Sequence, residues 1–145
     1  MDPFELVNPT TNAGASAVIT AEVFDANSVG TAGVNMQSLN TNRYWTASAS
    51  GNAASFTNTF IKVTDASVVS SSAIASSATL AGTYDIVGGT SPTVVVGASV
   101  TSTAPASTSL PGFYALGLKA VPMVYTSSTT TQAVTTAIVD RKSVV

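Results

Sequence analysis

Apolar and polar positions along this chain change places at short intervals, and Gly, Pro, Asn and Asp punctuate the intervals, the pattern of many short β-strands. Ala17 to Phe24 is the first strand expected, with Val18, Thr20, Glu22 and Phe24 alternating with Ala17, Ile19, Ala21 and Val23. Both of its faces are mixed, so the pattern does not say which one is buried. Arg43 to Ser50 and Ala53 to Thr64 follow, and the Gly51-Asn52 step between them predicts a β-hairpin. Asp65 to Leu80 gives conflicting signals. Asp65 could cap a helix, but the serine-rich interior competes for backbone hydrogen bonds, and strand is preferred. Thr83 to Val87, Thr93 to Thr103, Phe113 to Tyr125 and Thr131 to Val139 complete the expected strands, with Pro122 marking an edge or bulge.

Two segments fall outside this pattern. Met1 to Gly14 reads as an extended N-terminal arm, because Pro3, Pro9 and Asn12 to Gly14 oppose a regular element while Phe4, Leu6 and Val7 supply apolar anchors. Asp25 to Asn42, rich in Asn, Gly and Ser, reads as a long loop of the kind that binds something or is ordered by a neighbour. Strand spacings near ten residues suit an all-β, single-domain antiparallel β-sandwich or open barrel over residues 15–145, preceded by the arm at 1–14.

Composition narrows the class. A length of 145 residues fits one core, and 45% hydrophobic residues with a mean hydropathy of +0.37 exclude a disordered chain. Ser, Thr and Ala make up about 44% of the sequence, well above ordinary globular usage. Only 8% of residues are charged, against about a quarter in ordinary soluble domains. A surface so poor in charge is expected where other subunits cover much of it. Five Lys and Arg in total and a net charge of −2 oppose nucleic-acid binding and attachment to an anionic membrane. No apolar stretch approaches the roughly 18 residues of a membrane-spanning helix, the longest aliphatic run being Val94-Val95-Val96. The acidic start, Met1-Asp2-Pro3-Phe4-Glu5, does not resemble a secretory signal, so cytoplasmic synthesis without export by that route is expected.

Candidate chemistry is limited by what the chain lacks. With no His and no Cys, a Ser-His-Asp triad, a thiol nucleophile and a His- or Cys-ligated zinc are excluded. The carboxylates Asp2, Glu5, Glu22, Asp25, Asp65, Asp85 and Asp140 form no recognisable constellation, and neither a Ser-x-x-Lys spacing, a calcium loop nor a phosphate loop occurs. The expectation is no enzyme, no cofactor, no metal and no small-molecule substrate. Arg43-Tyr44-Trp45 joins a cation to two aromatic rings and could stack a sugar or base. The plainer reading has Trp45 anchoring the core and Tyr44 at its rim. Asp140-Arg141-Lys142 is either a solvated terminus or a tail that docks on an acidic neighbour.

A small, β-rich, charge-poor chain of this kind resembles the structural proteins of bacteriophage particles, especially the small capsid decoration, or cement, proteins. The resemblance is one of type and carries no motif. It implies a mechanical role in the virion. Copies of the subunit, commonly trimers at local threefold positions, would bind a major capsid protein and bridge neighbouring capsomers. Phe4, Leu6 and Val7 of the arm, Ile138 and Val139 of the last strand, and Tyr44, Trp45, Arg141 and Lys142 are the expected interface residues. A tail-tube or minor capsid subunit is the alternative within virions. A carbohydrate-binding or adhesive β-domain using Trp45 and Tyr44 is the alternative outside them.

Overall fold

The computed structural model describes residues 3–11, 17–51, 56–57, 59–103, 110, 112–121, 125–126 and 133–134. The strands are β1 Phe4–Val7, β2 Thr10–Thr11, β3 Ala17–Phe24, β4 Thr31–Ala32, β5 Met36–Gly51, β6 Phe56–Thr57, β7 Phe60–Thr64 and β8 Ser72–Ser77. They continue as β9 Thr83–Ile86, β10 Thr93–Val95, β11 Ser99–Thr101, β12 Phe113–Lys119, β13 Tyr125–Thr126 and β14 Ala133–Val134. No helix occurs among the described residues. A four-stranded sheet, β1-β7-β11-β10, packs on a six-stranded sheet, β3-β5-β12-β8-β9-β4, and the fold is an all-β sandwich. All pairings are antiparallel except β4 with β9.

Alternation along the central strands builds the core. Trp45 and Ala47 of β5, Ile74 of β8 and Tyr114 and Leu116 of β12 meet Ile61 and Val63 of β7 and Val100 of β11 between the sheets. The opposite face of the six-stranded sheet carries a second cluster, in which Met36, Ala75, Tyr84 and Ala115 pack together. Gly117 permits a close approach there, because a Cβ would meet the Met36 side chain and lie 2.6 Å from the Ser38 carbonyl oxygen.

Among the described residues, the N-terminal strands pair with β5 to β7 in a ribbon of three ladders, β1 with β7, β2 with β6 and β3 with β5. Phe4 stands opposite Val63, Thr10 opposite Thr57 in the same register, and Ala17 opposite Gly51 with the register shifted by a single residue. One end of this ribbon lies in the four-stranded sheet and the other in the six-stranded sheet. The hairpin expected at Gly51-Asn52 is therefore absent: β5 pairs with β3 and β12, while β7 pairs with β1 and β11. Both edges of β5 are filled, so β7 has no place beside it.

Two further expectations are corrected. Residues 4–7 of the expected arm form β1, because Pro3 and Pro9 bracket the strand instead of interrupting it, and the Pro3 carbonyl accepts a hydrogen bond from Thr64 N at 3.1 Å. The expected loop at Asp25 to Asn42 contains β4 and the first seven residues of β5. Its polar Asn40-Thr41-Asn42 lies where the β5–β12 register breaks, between Leu39 opposite Gly117 and Tyr44 opposite Ala115. Asn40 Oδ1 accepts from Asn42 N at 2.7 Å, an Asx turn built into a bulge. The preference for strand within Asp65 to Leu80 is met by β8. Pro122, Ile138, Val139, Arg141 and Lys142 lie outside the described residues.

Candidate assembly interface

The expected interface residues of the N-terminal half are occupied within their own fold. Phe4 and Leu6 are half-buried against the main core, and the Phe4 ring centroid lies 4.9 Å from that of Tyr114. Val7 is half-buried opposite Phe60. Trp45 is 1% exposed, which leaves almost none of its surface to stack a sugar. Tyr44 stacks on Phe24 at 4.8 Å and 10°, with Phe113 tilted against it at 6.5 Å. Trp45 thus lies within this chain's own core and Phe4 and Leu6 pack against it, while Val7 pairs with Phe60 and Tyr44 lies against Phe24 and Phe113.

The ribbon instead creates an edge. Residues 4–7 and 17–24 are the outermost strands of the two sheets, and β1 and β3 lie on the same open side of the sandwich. The two edges differ in protection. β1 has four residues, flanking prolines and a Glu5 carboxylate held by Lys62 Nζ at 3.1 Å, features that discourage pairing. β3 has eight residues, no proline and a single charge, Glu22. Residues 18 to 23 are exposed on both faces, Val18 at 58%, Ile19 at 37% and Val23 at 41%. An open groove of about 570 Å³ runs beside it, lined by Pro3, Phe4, Ala21, Val23 and Trp45.

The direction of the β3 backbone follows from its neighbour. Ala47 N donates to Gly112 O at 2.9 Å, so Ala47 turns its peptide groups towards β12 and away from β3. Ala21, directly opposite Ala47, therefore points its N–H and C=O to the free edge. Ile19 and Val23 do the same by alternation.

Arg43, Asp25 and Asp65 are committed to holding the fold. Arg43, in the β5 bulge, donates from Nε to Asp25 Oδ1 at 2.7 Å and from NH1 to Asp65 Oδ2 at 2.9 Å. Asp65 is buried and its Oδ1 accepts from Ser67 N at 2.7 Å. Burial raises the Asp65 pKa, but the Ser67 hydrogen bonds and the Arg43 charge together outweigh it and hold the carboxyl below its ordinary value of 3.8. A cavity of about 260 Å³ beside this bulge is lined by Ser38, Asn40, Asn42, Ser67 and Leu116. Burial pushes the Tyr114 hydroxyl strongly upward, and its Oη has no hydrogen-bond partner among the described residues. No group of three or more carboxylates placed to hold a metal occurs among the described residues.

Sequence reasoning located β3 but not its role. The signal was present: a strand with apolar residues on both faces cannot bury both at a sheet edge unless something covers it. No protein-family model, no curated protein and no solved structure matches this chain.

Proposed function

We propose that this chain is a structural subunit of a virus particle, of the capsid decoration type, which acts by binding its own copies and a major capsid protein. The observation that carries the reading is the eight-residue edge β3, which has one charge and no proline and is exposed on both faces over residues 18–23, in a chain with only 8% charged residues. Natural sheets that remain alone shorten, charge or bend such edges. The carboxylates whose partners are defined, Glu5, Asp25 and Asp65, are engaged by Lys62 and Arg43, which leaves them to structure and not to acid–base work.

A quantitative mass-spectrometric inventory of virus particles purified from cells that make the chain tests this. A ratio to the major capsid protein near one copy per capsid subunit is expected. A few copies per particle would overturn the decoration role in favour of a tail or minor capsid subunit. Absence from particles, with binding in a glycan screen, would overturn the virion reading altogether.

A further inference from the structure

We infer that β3 is the self-association edge of this protein, and that two copies pair their β3 strands antiparallel across a two-fold axis at Ala21. This deepens the assembly reading but rests on the edge alone, not on residence in a virion. Two-fold pairing requires one strand to complement itself, and the other sheet edges are short: β4 has two residues, β10 three and β1 four.

The register follows from charge and from backbone direction. Centring the pair on Ala21 sets Val23 opposite Ile19, Glu22 opposite Thr20 and Phe24 opposite Val18, so residues 18 to 24 of both copies overlap. A β-branched residue faces an aromatic one, and a hydroxyl faces the only carboxylate. Centring on Glu22 would instead put two carboxylates directly opposite each other, which is destabilising. Centring on Thr20 would leave Phe24 without a partner within β3 and set Glu22 against Val18.

In the Ala21-centred register the outward N–H and C=O groups of Ile19, Ala21 and Val23 meet those of the second copy, with Ala21 as a mutually hydrogen-bonded pair at the axis. The two six-stranded sheets then become one sheet of twelve strands. The exposed apolar row Ile19, Ala21 and Val23 beside the groove with Phe4 gains the same row of the partner as its continuation.

The test uses the purified full chain and two kinds of variant. Ala21→Pro removes the donor at the axis while leaving the β3–β5 ladder its bonds, because the Ala21 N–H faces outward. Counted twice across the two-fold, this should weaken dimerisation about tenfold or more in sedimentation velocity. Val23→Lys should do the same through charge. Val96→Lys, on the exposed β10–β11 turn, should not. Circular dichroism matching the parent separates lost pairing from lost folding.

The chain contains no cysteine, so Ala21→Cys reports the register directly. Hydrogen-bonded antiparallel partners have Cα atoms about 5.5 Å apart, within disulfide range. Mild oxidation should therefore cross-link Ala21→Cys about tenfold or more faster than Thr20→Cys, whose two copies are only diagonal neighbours. Equal rates would overturn the register. A parent chain that stays monomeric at high concentration would overturn the proposal. A chain that dimerises only after residues 135–145 are removed would overturn it as well, by assigning the edge to the chain's own tail.

Discussion

Truncating Phe4 to Ala separates an N-terminal strand that serves its own core from an arm that serves a partner. The Phe4 side chain is half-buried, packs on the main core and lies 4.9 Å from the Tyr114 ring. A phenylalanine buries about 150–250 Å² when fully enclosed, so roughly 100 Å² is returned to water here, worth about 2.5 kcal/mol at about 25 cal/mol/Å². The tilted ring pair adds about 0.5–1.5 kcal/mol. The open groove beside Phe4 lets neighbours and solvent relax into the space, which trims the cavity contribution. The expected loss is about 3–4 kcal/mol of unfolding free energy, read as a lower urea midpoint at unchanged slope. That loss should be the same at protein concentrations well below and well above any self-association. A loss below about 0.5 kcal/mol, or one seen only where the chain associates, would refute the placement of residues 4–7 in the four-stranded sheet.

Three further outcomes are expected. Tyr114→Phe removes a buried hydroxyl without a partner among the described residues and should raise stability by about 1 kcal/mol; a lower urea midpoint would show that Oη is bonded. Asp65→Asn should flatten the acid side of the stability profile. The folded-state pKa lies below the unfolded one, so the stabilisation is complete above the ordinary value of 3.8 and drains as pH falls through the folded value. Parallel acid limbs for parent and variant would contradict this. Gly117→Ala drives a methyl into Met36 and the Ser38 carbonyl and should cost about 1–3 kcal/mol by overpacking; thermal unfolding at the parent temperature would show that the bulge yields.

What the sequence made legible was local. β3 has the bounds that its alternation predicts, and β8 and β12 fall inside the expected segments, because period-two patterning and turn residues act over a few positions. The hairpin at Gly51-Asn52 failed for a non-local reason. A Gly-Asn step suits a chain reversal, but the strands on either side of it take their partners from distant parts of the chain, Ala17 for Gly51 and Thr11 for Phe56. Asn40 to Asn42 misled in the same way, since an Asx turn within a strand and an Asx turn in a loop have the same composition.

The site was hidden by the assumption that exposed apolar residues near a terminus dock outward. Phe4 and Leu6 contribute instead to a core that would otherwise leave Tyr114, Ile61 and Val63 open on one side. Once the N-terminal segment is spent as the outermost strand of both sheets, the apolar surface moves to β3, where β1 is too short to cover Ile19, Ala21 and Val23. The charge-poor composition then acquires a specific meaning. A monomer would guard this edge with lysine or proline. Glu22 is the only guard present, and the Ala21-centred register sets it opposite a threonine. The same strand that makes the isolated subunit prone to pairing thus also determines in which register a second copy is accepted.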